Sequence, residues 1–334
     1  MTGAVRDWGA FRIHEGDSRV SLAGMPDASV HCCVTSPPYY GLRDYGVAGQ
    51  IGLEATPDAY VEQMVAVFRE VRRVLRDDGT LWLNLGDSYA GSGKGGDPEA
   101  GKQATNRGSQ SVGVWYGTGR TAREAAVTNV TRKTFDGVKA KDLIGIPWRV
   151  AFALQADGWY LRSDIIWHKP NVMPSSVTDR CTTAHEYLFM LSKSPRYYYD
   201  AAAIAEPAVA GAKGSLFTKG KTATHQLGRA GKGERADGET RNKRSVWTIT
   251  TRPFKGAHFA TFPPALIEPC ILAGAPVGGV VLDPFGGAGT TAMVAAQHGR
   301  VGAMCELNPE YADMAERRIA TAVFGPLAFG GAAA

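Results

Sequence analysis

The segment Thr35-Ser36-Pro37-Pro38-Tyr39 sets a hydroxyl, a carbonyl and an aromatic ring side by side, on a stretch that two prolines hold at fixed φ. The Ser36 hydroxyl and Pro37 carbonyl can accept hydrogen bonds, and Tyr39 offers a face on which a planar ring can stack. A strand ending in a proline-rich turn with a packed tyrosine would share the Pro37-Pro38 pair. A second constellation, V-V-L-D-P-F-G-G-A-G-T-T (280–291), reads as a buried strand, a carboxylate, a glycine-rich turn and a helix start. Gly286, Gly287 and Gly289 let the backbone pass close to a ligand without a Cβ in the way. Asp283 could hold a cationic amine. Glu306, nineteen residues past Gly287, could accept both hydroxyls of a ribose.

These residues alone leave alternatives open. Gly287-x-Gly289-x-x-Ala292 also fits a loose dinucleotide pattern, with Glu306 at the expected distance, and a tight turn without ligand is another reading. A phosphate-gripping loop is disfavoured because no Gly-Lys-Thr follows the glycines.

The elements that must position these groups follow from periodicity. Ser29–Thr35 is predicted as a short strand running into the proline pair, which cannot continue a sheet ladder. Thr56-Pro57 supplies an N-cap and first-turn proline, and apolar residues at helical spacing follow to Leu75. Strands are expected over 80–85, 160–167, 186–191, 279–283 and 300–306, with Tyr197–Tyr199 as a hairpin partner. Helices are expected over 147–155 and from Pro263, Ala288 and Pro309. Alternating strands and helices imply an α/β fold, a mainly parallel sheet with helices on both faces.

At 334 residues and 44% hydrophobic, the chain can build one large α/β domain with an insertion, or two ordinary domains. The five cysteines show no C-x-x-C spacing, residues 1–17 hold no apolar core of signal-peptide length, and no later apolar run reaches the roughly 18 residues of a membrane span. The expectation is a cytoplasmic protein with no membrane segment and no metal site. The net charge is only +5, but residues 201–255 hold eleven basic against four acidic side chains, a local excess of +7. Lys213, Lys219, Lys221, Arg241, Lys243 and Arg244 are its candidate nucleic-acid contacts. The organisation expected is a part over 1–200 that carries the proline loop, with a flexible loop at 90–136, a basic recognition insert over 201–255, and a part over 256–334 that carries the glycine-rich turn.

The glycine loop and S-P-P-Y together make the sequence similar to the bacterial and phage DNA amino-methyltransferases that modify adenine N6 or cytosine N4. With the catalytic motif first, a basic region next and the cofactor motif near the C-terminus, it resembles the β-class permutation of that family, from Ile13 to about Arg318. The resemblance implies a Rossmann-like sheet with permuted motif order, S-adenosylmethionine as methyl donor, and double-stranded DNA with base flipping. A homodimer and a cognate restriction endonuclease are further expectations of this kind.

Residue by residue, I-H-E-G-D-S (13–18) gives Asp17 the contact to the cofactor adenine. H-F-A-T-F-P-P-A-L-I-E-P (258–269) brings Thr261 and Phe262 to the methionine end, with Phe262 where a basic residue often stands in the family. D-P-F-G-G-A-G-T-T and E-L-N-P-E-Y supply Asp283, Phe285, Gly286, Gly287, Gly289, Thr290 and Glu306. L-W-L-N-L-G-D-S-Y (81–89) and D-I-I-W-H-K-P-N (164–171) resemble segments flanking the target-base pocket. The catalytic set is then Ser36, Pro37, Pro38 and Tyr39. Acceptors on the amine protons make the nitrogen more tetrahedral and free its lone pair for in-line attack on the methyl. The family uses Asp more often at the Ser36 position for adenine and Ser for cytosine, so cytosine N4 is expected, with adenine N6 as the alternative. A catalytically dead DNA binder and a nicotinamide-dependent oxidoreductase are the more distant alternatives. Pro269-Cys270 raises cytosine C5 chemistry, but its apolar helical neighbours point to a buried thiol.

Overall fold

The computed structural model describes residues 4–42, 44–91, 137–208, 240–251 and 262–329. Among these residues the main sheet has nine strands: β1 (Val5–Asp7), β2 (Phe11–Glu15), β3 (Val30–Thr35), β4 (Leu75–Leu85), β5 (Tyr160–His168), β6 (His185–Ser192), β9 (Val246–Thr248), β10 (Val280–Asp283) and β11 (Val301–Glu306). The spatial order is β1-β2-β11-β10-β3-β4-β6-β5-β9, and β7 (Glu206–Pro207) and β8 (Thr240–Arg241) form a separate ribbon. The run from β2 through β11, β10 and β3 to β4 is parallel, as is the β5–β9 pair. β6 is antiparallel to both its neighbours and β1 is antiparallel to β2.

Alternate residues of the central strands enter two cores. Cys33, Leu81, Leu83 and Leu282 pack with α1 (Ser18–Ala23), α2 (Pro57–Val74) and α3 (Ile146–Ala156). Cys32, Val34, Trp82 and Val281 pack with α4 (Pro264–Gly274), α5 (Thr290–Gln297) and α6 (Pro309–Phe324) on the other side. The strand period of two thus covers both faces with helices, as the alternating sequence pattern implies, and sends Cys32 and Cys33 to opposite faces. Among the described residues no helix is long and apolar enough to cross a membrane.

Local chemistry explains the boundaries. Thr56 Oγ1 accepts the Ala59 amide at 3.1 Å and Pro57 opens α2. β4 begins at Leu75, earlier than its apolar run suggests, because Leu75 already pairs with Val30 across a bulge. The expected strand at Tyr197–Tyr199 does not form. Both edges of β6 are already taken by β4 and β5, and the Tyr198 amide instead donates to the Asp78 carbonyl at 2.8 Å. β1, β2 and the short helix α1, whose N-cap is Asp17, escape the sequence reading, as do β7 and β8. β9 lies inside the 201–255 stretch yet belongs to the main sheet, so that stretch is not irregular throughout. The loop expected over 90–136 falls almost wholly outside the described residues.

Candidate active site

β3 and β10 are parallel neighbours, so their carboxyl ends bring the two distant motifs to one place. A cavity of about 800 Å³ opens there, lined by Asp17, Ser36, Pro37, Pro38 and Tyr39 and also by Phe262, Asp283, Phe285, Gly286, Gly287, Thr290 and Glu306. Thr261 lies outside the described residues. Gly289 does not line the cavity; it N-caps α5 at φ +72° against Ala315 and Ile319 of α6, which leaves no room for a Cβ. Gly286 is similarly confined, since a Cβ there would stand 2.4 Å from Met304 Cε.

The three carboxylates differ. Glu306 accepts the Gly287 amide (2.7 Å) at one oxygen and the Asn308 amide (2.9 Å) at the other, which fixes it at the cavity wall with acceptor capacity to spare. Burial raises its pKa. Asp17 is pinned as the α1 N-cap and by Arg19 at 2.5 Å, and its pKa falls because Arg19 donates to it. Asp283 is buried and already takes Thr35 Oγ1 (2.6 Å) and the Phe285 amide (3.0 Å) on one oxygen and Thr291 Oγ1 (2.9 Å) on the other. It is first a brace between β3, β10 and α5, and burial pushes its pKa up to about 6.

At the other end of the cavity stands a group that the sequence did not reveal. Tyr39 Oη donates to Glu186 Oε2 at 2.7 Å, Asn84 Nδ2 donates to the same oxygen at 3.1 Å, and Lys169 Nζ pairs with Oε1. Lys169 also lies 4.2 Å from the Trp167 ring centroid. Burial, then the Glu186 charge, raise the Tyr39 phenol well above its ordinary pKa. Asn84 in the apolar run L-W-L-N-L was the legible signal, because a buried amide needs partners. Glu186 at the start of a strand carried none.

The basic residues are distributed differently. Arg244 and Arg241 both approach Glu206 Oε2, at 3.0 and 3.5 Å, and Lys243 Nζ stands 4.9 Å from the Trp247 ring centroid; none lines the cavity. Lys213, Lys219 and Lys221 lie outside the described residues. Cys270 is buried in α4, away from the cavity, with its thiol raised by burial. Among the described residues no cluster of three His, Cys, Asp or Glu side chains could hold a metal.

The N6/N4 DNA methylase model matches residues 30–317. The chain belongs to this DNA methylase family. Over 307 residues it is 46% identical to the type II methyltransferase M.Cfr9I of Citrobacter freundii, covering 92% of this chain and 87% of that one. M.SmaI of Serratia marcescens is 45% identical over 308 residues, 92% and 90% of the two chains. Among solved structures, PvuII DNA methyltransferase, described as cytosine-N4-specific, aligns with a TM-score of 0.58 at 18% identity over 99% of this chain and 94% of that one. A putative DNA modification methylase of Thermus thermophilus, TTHA0409, solved with S-adenosylmethionine, aligns at 0.53 and 24% identity over 94% and 96%. The protein is thus a DNA amino-methyltransferase that uses S-adenosylmethionine, and the oxidoreductase alternative falls away.

Proposed function

We propose that the protein methylates the exocyclic N4 of cytosine in double-stranded DNA, on a base turned out of the helix into the cavity beside Tyr39. The observation that carries this reading is that Ser36, a neutral acceptor, shares one cavity with the cradle formed by Gly286, Gly287 and Glu306. The cavity is large enough for a nucleoside cofactor and a base together. Glu306 suits the ribose hydroxyls, Asp17 the adenine amine, and Phe262 with Thr261 the methionine end. Asp283 supplies negative potential below the cradle.

S-adenosylmethionine, when bound, supplies a methyl group activated by a sulfonium. The chain's part is to hold the amine. Ser36 Oγ and the Pro37 carbonyl accept hydrogen bonds from its two N–H groups, which withdraws the lone pair from the ring and aims it at the methyl; one of these protons then leaves to solvent, and the prolines keep the acceptors from reorganising. Tyr39 stacks on the flipped base and offsets part of the few kcal/mol that flipping costs. Residues 201–255 are assigned to target recognition, on the strength of their local charge of +7. A homodimer, a cognate restriction endonuclease and a cytoplasmic setting accompany this reading.

The test is chromatography of nucleosides from DNA treated with the protein and S-adenosylmethionine. N4-methylcytosine is expected. N6-methyladenine without N4-methylcytosine would replace the cytosine assignment with the adenine one, and no methylated nucleoside would make the chain an inactive DNA binder.

A further inference from the structure

We infer that Glu186 sets the direction of the hydrogen bonds that end at Ser36, making the Ser36 hydroxyl an acceptor toward the target base and the pocket selective for an amine over an oxo group. The inference rests on the reading that Ser36 meets the exocyclic amine. Glu186 bonds to Tyr39 and acts on Ser36 through it, so it is a positioning residue.

The chain of bonds is short and its polarity follows from chemistry. Lys169 is paired with Glu186 Oε1, and an ionised carboxylate has no proton to give. Tyr39 must therefore donate its one proton, and Glu186 Oε2 at 2.7 Å takes it. Asn84 cannot reverse this. Its Nδ2 is committed to Glu186 Oε2 and to the Tyr187 carbonyl at 3.0 Å, which turns its acceptor Oδ1 toward Tyr39 Oη at 3.2 Å. With its proton used, Tyr39 Oη can only accept from Ser36 Oγ, 3.4 Å away. Catalytic hydrogen bonds of this length often tighten in the substrate complex. The Ser36 proton is then directed at Tyr39, and its lone pairs are left for an N–H of the base.

An amine at that position finds an acceptor. A carbonyl oxygen at the same position meets lone pair with lone pair and loses its hydrogen bond. Uracil in place of cytosine is the probe. Removing the Tyr39 hydroxyl, or giving Glu186 an N–H, would free Ser36 to turn its proton toward the oxygen.

The experiment measures equilibrium affinity, with S-adenosylhomocysteine present, for duplexes carrying cytosine or uracil at the methylated position. The base faces an abasic site, so that lost pairing contributes equally. Wild-type protein is expected to prefer cytosine. In Y39F, which keeps the ring, that preference should fall about tenfold, and in E186Q by less, since the amide can still accept. A wild-type protein indifferent to the two bases, or variants that weaken both duplexes equally, overturns the proposal. S-adenosylhomocysteine affinity reports whether each variant has folded. If the methylated base proves to be adenine, cytosine duplexes go unmethylated by wild type. That outcome corrects the base assignment, and the adenine–hypoxanthine pair then tests the polarity of the chain.

Discussion

Thr35 Oγ1 donates to Asp283 Oδ1 at 2.6 Å, joining the last residue of β3 to the last residue of β10. One bond thus links the residue before the acceptor loop to the residue before the glycine cradle, which are 248 positions apart. In T35V the side-chain volume is kept while a buried carboxylate loses a donor, at a cost of about 1–3 kcal/mol. Urea unfolding should show that loss, and methyl transfer should slow as the loops shift relative to each other. T35S should retain both.

Asp283 also gives the fold a pH dependence. Burial raises its carboxyl from 3.8 to about 6, so the folded chain holds this proton more tightly than the unfolded one. The stability it contributes is complete below the unfolded value and is lost as pH rises through about 6. D283N removes this group's titration. Its unfolding free energy should vary less than that of wild type between pH 4 and 7, by about 1–3 kcal/mol; equal slopes in urea titrations would contradict the assignment.

Sequence and structure agree where a single local rule operates. The cap at Thr56-Pro57, the strand that stops at Thr35 ahead of the proline pair and the strand–glycine–helix unit at 280–291 all form as their residue types require. Tyr197–Tyr199 shows the limit: its aromatic residues suit a strand, but whether an edge of β6 is free depends on strands distant in sequence. Glu186 was hidden for the same reason. Its partners Tyr39, Asn84 and Lys169 come from three separate segments, and only the sheet order brings them together. Asp283 was legible as a site carboxylate, but its engagement by Thr35 and Thr291 was not.

The Gly286 backbone is held against Met304 of β11, the strand that ends in Glu306. G286A places a Cβ 2.4 Å from Met304 Cε and 2.7 Å from its Cβ, so the cradle or the methionine must shift. A loss of about 1–3 kcal/mol in stability is expected, together with weaker S-adenosylmethionine binding by calorimetry. Adding M304A relieves the Cε contact and should restore part of the affinity. No recovery would mean that the glycine is needed for the ligand's approach rather than for packing.

Lys243 and Arg244 sit beside β9, where the sheet meets the basic segment. Arg244 keeps a 69% exposed side chain while bonded to Glu206, and Arg241 would still hold that carboxylate in R244Q. If both side chains meet phosphates, K243Q/R244Q should reduce the slope of log affinity against log salt by about 1–2. An unchanged slope in fluorescence titrations would remove this surface from the DNA interface.

Cys270 follows a proline, the sequence context that raised cytosine C5 chemistry. A nucleophilic cysteine must reach its substrate as a thiolate. Cys270 Sγ instead donates to the Leu266 carbonyl at 3.4 Å within α4, is fully buried, and has its thiol raised well above its ordinary value by burial. C270A therefore removes a small packing volume and no chemistry. It should lose about 1 kcal/mol of stability and keep the wild-type methylation rate below its unfolding temperature. A variant that is folded by circular dichroism but inactive would point to a covalent cysteine adduct, which the amine mechanism does not use.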